Sequence, residues 1–163
     1  MKYPKFRTGL GQDSHRFLAT AGSKKCVMGG IVFEEMPGLD ADSDGDIVYH
    51  AICNAITSVT HVSIMGDLAI KLCHEKKITD SQVYVEEALK TLGKQQIEHV
   101  ALAIEGKRPR MQKKVDAIRQ KVAHVLKIRP DQVGLTVTSG NNLNDFGRGE
   151  GIQCLCILTT VEF

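Results

Sequence analysis

The sequence predicts an α+β fold in which a mixed four-stranded sheet and a separate hairpin carry helices on one face. Three observations predict it. Branched and alternating apolar residues over 97–104, 133–138 and 152–161 follow the period of half-buried strands. Apolar residues over 44–61, 79–92 and 111–126 recur at three- and four-residue spacing, the period of helices packed through one side. The order that results, β-β-α-α-β-α-β-β, is that of helices segregated to one face of a sheet.

Lys5 to Phe17 reads as the first strand, with Gly9 and Gly11 where the chain bends or lies close to another element. Lys25 to Gly29 and Ile31 to Glu35 flank Gly30 as a hairpin, and Pro37-Gly38 breaks the chain after it. A helix then runs from about Asp44 to His61. Ser43 or Asp44 is expected to cap it, and Asp46 suits the positive end of its dipole. Ile47, Val48, Ala51, Ile52, Ala55 and Ile56 form its apolar stripe. Asp46 and His50 share a face at i and i+4, and are expected to offer their polar groups outward.

Residues 62–77 have mixed periodicity around Gly66-Asp67 and read as a short helix or loop, a candidate moving lid. Thr79-Asp80-Ser81 starts a purely structural helix that stops near Gly93. Ile97 to Ile104 is a strand and Gly106 to Pro109 a loop. Met111 to Leu126 carries Val115, Ile118, Val122, Val125 and Leu126 at helical spacing. Val133 to Thr138 and Ile152 to Val161 are the last strands, separated by a glycine- and asparagine-rich loop. No internal repeat or low-complexity segment interrupts the pattern.

A chain of 163 residues is expected to form one domain, 1–163, that buries roughly 70% of the surface its unfolded chain exposes. The net charge of +2 and the absence of a basic tract interleaved with aromatics argue against a nucleic-acid partner. No apolar run is long enough to span a membrane and no hydrophobic signal region opens the chain, so the expected location is the cytoplasm. The five cysteines, Cys26, Cys53, Cys73, Cys154 and Cys156, contain no C-x-x-C pair. They read as small core residues rather than disulfides or ligands.

A lone helical histidine is more often a packing residue than a ligand, so His50 needs partners. Asp13 and His15 stand two apart in the first strand and therefore face one side. With His50 they make two imidazoles and one carboxylate, a catalytic zinc pattern that leaves the fourth position open.

The chain resembles the 2-C-methyl-D-erythritol 2,4-cyclodiphosphate synthase family along nearly its whole length. The matching pieces are G-L-G-Q-D-S-H-R-F at 9–17, Gly29-Gly30, S-D-G-D-x-x-x-H-A at 43–51, Gly66-Asp67, Pro109-Arg110-Met111, T-S-G at 138–140 and G-R-G-E-G-I at 147–152. The resemblance implies a homotrimer with an active site at each subunit boundary, and zinc, or a similar divalent ion, on Asp13, His15 and His50. It implies the cyclisation of 4-diphosphocytidyl-2-C-methyl-D-erythritol 2-phosphate with release of CMP, a phosphorus–oxygen lyase reaction of non-mevalonate isoprenoid synthesis. A second divalent ion, magnesium or manganese, is expected on the diphosphate. Asp42 and Ser139 fall at catalytic positions of the family. Thr138, Gly140 and Asn141 fall where it contacts phosphates, Gly106, Arg110 and Met111 where it recognises cytosine and diphosphate. Ser14, Ser43 and Asp67 are further substrate positions, and Arg148 is expected near the threefold axis, paired with Glu150.

Five departures stand out against the family pattern. Asp42 replaces a histidine before S-D-G-D, and Asn54 replaces an aspartate four residues after the helical histidine. Asn141 replaces the acidic ligand of the second ion, so Asp42 is expected to help recruit that ion. Leu72-Cys73-His74 replaces F-P-D, and Asp145-Phe146 replaces a phenylalanine-containing stretch near the pocket. Two other classes fit the same residues: a zinc-dependent nucleotide-diphosphate hydrolase, and a non-catalytic trimer that binds phosphates or isoprenoid diphosphates.

Overall fold

The computed structural model describes residues 3–163. Its strands are β1 (Lys5–Arg16), β2 (Lys25–Met28), β3 (Ile31–Pro37), β4 (Gln96–Glu105), β5 (Val133–Thr138) and β6 (Gly151–Glu162). Four of them form one mixed sheet in the order β1-β6-β4-β5, and β2 and β3 pair as a separate hairpin. β6 is antiparallel to β1 and to β4, whereas β4 and β5 are parallel. A parallel pair needs a crossover, and the segment between them supplies one through the helix α4 (Val115–Leu126).

The remaining helices are α1 (Ile47–Thr60), α2 (Asp67–Ile70), α3 (Ser81–Lys90) and α5 (Asp145–Arg148). α1 lies across β1 and β6, α3 packs beside α1, and α4 packs against α3 and β5, so these helices cover one face of the sheet. Along β6, Cys154, Cys156 and Leu158 turn inward and are fully buried, while Leu155 and Ile157 turn outward and are exposed. Phe6 and Leu10 of β1 are exposed as well, and Leu10 is directly paired with Ile157. The sheet therefore has a closed helical face and an apolar open one.

α1 begins later than the sequence suggests, and its cap is Asp46 rather than Ser43 or Asp44. The Asp46 carboxylate is fully buried. Oδ1 accepts from the backbone N–H groups of Val48 (3.0 Å), Tyr49 (3.2 Å) and Gly29 (2.8 Å), and Oδ2 accepts from that of Gly30 (2.7 Å). One side chain thus closes the helix and ties it to the hairpin turn, where Gly29 and Gly30 both have positive φ. Asp46 offers nothing outward, and the expectation that it shares an exposed polar face with His50 is corrected. Burial and the nearby Asp44 carboxylate push Asp46 up to about 6, against backbone donors that favour the ionised form.

Residues 67–75 are helical, but α2 gives way to a π-helical turn over Lys71–Glu75. The predicted helix over Met111 to Leu126 divides into a 3₁₀ turn at Gln112–Lys114 and α4.

The contact that sets the frame is between α1 and β1. A Cβ on Gly9 would lie 2.1 Å from the Ala55 carbonyl oxygen, and one on Gly11 would lie 2.0 Å from that of Ala51. The helix backbone rests directly on the strand, which only glycine permits. Gly11→Ala is expected to destabilise the fold by about 2–3 kcal/mol in urea denaturation, the cost of overpacking. Gly22→Ala, where a Cβ meets nothing within 4 Å, is the control expected to stay within about 0.5 kcal/mol.

Candidate metal centre and active site

Asp13 and His15 stand at odd positions of β1, on the face shared by Gly9 and Gly11, which is the face α1 covers. Because the helix lies flush on the two glycines, the next inward-facing residues along the strand meet its first turn. His50 stands there. Asp13 Oδ2 lies 2.9 Å from His50 Nδ1 and 3.0 Å from His15 Nε2. The two ring nitrogens are 3.4 Å apart. Tetrahedral zinc with bonds of about 2.0 Å separates its ligand atoms by about 3.3 Å, so the donor triangle fits such an ion with shifts of a few tenths of an ångström. No other set of three metal-binding side chains converges in this way among the described residues.

The far side of His50 is held as firmly. Its Nε2 lies 2.8 Å from Ser81 Oγ and 3.3 Å from Ser43 Oγ. Ser81 donates its hydroxyl hydrogen to Asp44 Oδ1 in a short hydrogen bond, and its backbone N–H donates to Asp44 Oδ2 at 3.0 Å. With that proton committed, Ser81 Oγ accepts from His50 Nε2–H, which leaves Nδ1 to face the triangle, where it donates to Asp13 or, once that proton leaves, offers its lone pair to an ion. Tyr84 stacks on the imidazole with ring centroids 6.1 Å apart. α3 is therefore not purely structural. Sequence reasoning missed Ser81 because a serine after Thr79-Asp80 reads fully as a helix start; only the tertiary contact reveals its second task.

Burial pushes the Asp13 carboxyl up, but hydrogen bonds from His15 and His50 and their charge outweigh it and hold it at about 2. The carboxylate is thus ready to ligate.

His15 stands between two clefts. One of about 400 Å³ holds Asp13, His15 and His50 with Asp42, Ser43 and His74 at its wall. The other, of about 580 Å³, runs from Ser14, His15 and Arg16 to Asn144, Arg148 and Glu150.

The other candidate residues gather elsewhere. Ser14 pairs across to Gln153, Gln153 to Glu105, and Glu105 to Thr138, a single row over the four strands. Thr138 is therefore three strand spacings, about 14 Å, from Ser14 at the metal edge. Ser139 Oγ accepts from the Asn141 N–H at 3.4 Å and caps the turn that follows. Gly140 is buried at φ 70°, where a Cβ would meet Glu105 Oε1 at 2.6 Å. The Gly106 N–H donates to the Thr138 carbonyl at 3.0 Å, and Lys107 Nζ donates to Asn142 Oδ1 at 3.0 Å. The two loops thus form one cluster, separate from the metal triangle within this chain.

Arg110 is exposed beside them. Met111, expected at the substrate, is 2% exposed, and its side chain belongs to the core. Asp67 is exposed in the first turn of α2 and lines neither cleft. Arg148 pairs most closely with Asp145 and lies 3.7 Å from Glu150, whose shorter partner is Arg16 at 2.7 Å. Asn54 donates to the Gln12 carbonyl at 2.9 Å and braces α1 on β1.

Fold and donor triangle together define an α+β protein with a metal-type centre open to a cleft. The chain belongs to the YgbB family, whose sequence profile matches residues 6–161. It is 54% identical over 159 residues to 2-C-methyl-D-erythritol 2,4-cyclodiphosphate synthase of Chlamydia felis, covering 97% of this chain and 90% of that one. Two solved structures share the fold. The bifunctional IspDF of Campylobacter jejuni superposes with a TM-score of 0.88 at 21% identity, covering 99% of this chain and 43% of that one. IspF of Plasmodium falciparum in complex with CDP superposes at 0.79 with 22% identity, covering 99% of each.

Ser81→Ala is expected to weaken zinc binding about 10- to 100-fold while leaving thermal unfolding within a few degrees of wild type, because it frees the tautomer and tilt of His50 without removing a ligand. Chelator competition measures it, and Ser81→Thr, which keeps the hydroxyl, is expected to restore affinity.

Proposed function

We propose that this chain converts 4-diphosphocytidyl-2-C-methyl-D-erythritol 2-phosphate to 2-C-methyl-D-erythritol 2,4-cyclodiphosphate and CMP. The observation that carries the reading is the intact Asp13-His15-His50 triangle in a chain 54% identical to a relative named for that product. The 2-phosphate oxygen forms a bond to the β-phosphorus of the diphosphate, the bond from that phosphorus to the CMP oxygen breaks, and CMP leaves with the electron pair. The nucleophile is already an anion, so no side chain need deprotonate it, and the catalytic task is positioning and charge neutralisation. Zinc on Asp13, His15 and His50 would supply a Lewis acid for a phosphate oxygen. Ser81 fixes the lone pair of His50 towards that ion, and Ser43 borders the same imidazole. Thr138, Ser139 and the backbone around Gly140 offer donors to phosphates, Gly106 and Arg110 would meet the cytidine diphosphate, and a second divalent ion would neutralise charge on the diphosphate. Ser14 and Arg148 face the cleft beside His15.

A homotrimer supports this division of labour. The Thr138 loop lies too far across its own sheet to reach the triangle, so a neighbour's loop completes the site. The exposed Leu10, Leu155 and Ile157 offer an apolar sheet face for burial between subunits. No helix of the described residues is long and apolar enough to cross a membrane, which accords with an enzyme working in the cytoplasm.

Phosphorus NMR of the protein with substrate, zinc and magnesium is expected to show a cyclic diphosphate rising with stoichiometric CMP. CMP accompanied only by open-chain phosphates would replace the reading with a hydrolase, and an unchanged spectrum with a binding protein.

A further inference from the structure

Asp42 and His74 come from separate segments, the approach to α1 and the π-helical turn over Lys71–Glu75, yet their side chains touch. His74 Nε2 lies 3.0 Å from Asp42 Oδ2. Both line the cleft that contains Asp13, His15 and His50. The resemblance described above implies exchanged residue types at the two positions, with Asp42 where a histidine is expected before S-D-G-D and His74 where an aspartate is expected to close F-P-D. A histidine lost on one wall of the cleft is thus matched by a histidine gained on the facing wall, in hydrogen-bond contact with the carboxylate that replaced it.

We propose that Asp42 and His74 form an acid–imidazolium pair in which His74 donates Nε2–H to Asp42, which orients it, and Nδ1–H to an anionic oxygen of the bound substrate. The inference rests on the synthase reading. Four observations carry it. The pair is exposed, at 77% for Asp42 and 56% for His74, and an exposed ion pair adds little to fold stability, so stability does not explain the contact. Asp42 accepts from Nε2, which leaves Nδ1 as the ring edge available to a ligand; no other side-chain hydrogen bond engages this ring among the described residues. An unpartnered Asp42 at this wall would repel a phosphate, and an imidazolium against its carboxylate offsets that charge. Finally, the π-helical turn lies at the site: Cys73 and His74 of the turn line the cleft, and such turns recur at functional sites.

The contact gives the Asp42 carboxylate a protein partner through Oδ2, a role separate from the expected recruitment of a second ion. Within one chain Asn141 bonds to Ser139, in the loop beyond Thr138, which the proposed function brings to the site from a neighbouring subunit.

The test is a mutational cycle on the full-length protein, read by kcat/KM and zinc content, with nitrogen NMR of the His74 ring as substrate is added. His74→Ala is expected to lower kcat/KM about tenfold or more with zinc content unchanged, and Asp42→His and His74→Asp each to do the same. The double exchange Asp42→His with His74→Asp restores the family order and is expected to recover activity to within about threefold of wild type, a coupling that only an interacting pair produces. In the wild type, substrate is expected to shift the Nδ1 resonance. Turnover in the wild type, an unimpaired His74→Ala and a silent Nδ1 would overturn the pair and leave the reaction standing. A wild type that makes no cyclic product but whose Nδ1 resonance responds to substrate would remove the reaction and keep the pair as a binding device.

Discussion

The close seating of α1 on β1 is the constraint from which the site follows. Two residues without side chains, Gly9 and Gly11, let the helix carbonyls of Ala55 and Ala51 occupy the space that a Cβ would fill. At that separation the first turn of the helix and the next inward positions of the strand share one small volume. A side chain at residue 11 would lift the helix and move His50 away from Asp13. The metal centre therefore depends on a packing contact in which no ligand takes part. Precision in such a site comes from rigid elements whose relative placement is fixed elsewhere.

The supports around that contact are polar and buried. Asp46 anchors the start of α1 to the hairpin glycines through four backbone donors, so the helix can neither slide nor unwind at the end that carries His50. Asp44, two residues earlier, reaches the other way and holds Ser81, which holds His50. The S-D-G-D stretch thus divides between two tasks, one carboxylate for the scaffold and one for the ligand's orientation. Gly45 between them has a positive φ of 77°, which lets consecutive acidic side chains turn to opposite partners.

Much of this was legible in the sequence and some was not, for identifiable reasons. Strand β5 falls where its branched alternation predicts, at Val133–Thr138, and the i, i+2 spacing of Asp13 and His15 directs both to α1. The cap of α1 was misread because Ser43, Asp44 and Asp46 all have capping side chains, and the choice among them is made by Gly29 and Gly30, which are distant in sequence. Residues 62–77 showed no clean period because a π-helical turn adds a residue to the repeat, which scrambles a 3.6-residue pattern. The Met111 side chain enters the core beside the start of α4, which leaves its backbone as the part that the expected recognition concerns. The His74–Asp42 contact joins two segments 32 residues apart and leaves no trace in local spacing.

One chain holds the metal triangle at β1 and the hydroxyl-bearing Thr138 and Ser139 at the opposite edge strand, β5, with β6 and β4 between them. Neighbouring copies arranged edge to edge would turn this separation into adjacency. The claim on which everything else rests is that Asp13, His15 and His50 converge on one ion. Anomalous diffraction from zinc-grown crystals, recorded on both sides of the zinc absorption edge, tests it most directly. The account predicts one strong peak per chain within about 2.0–2.2 Å of Asp13 Oδ2, His15 Nε2 and His50 Nδ1. Zinc bound elsewhere, or no peak at the triangle at saturating zinc, would contradict it.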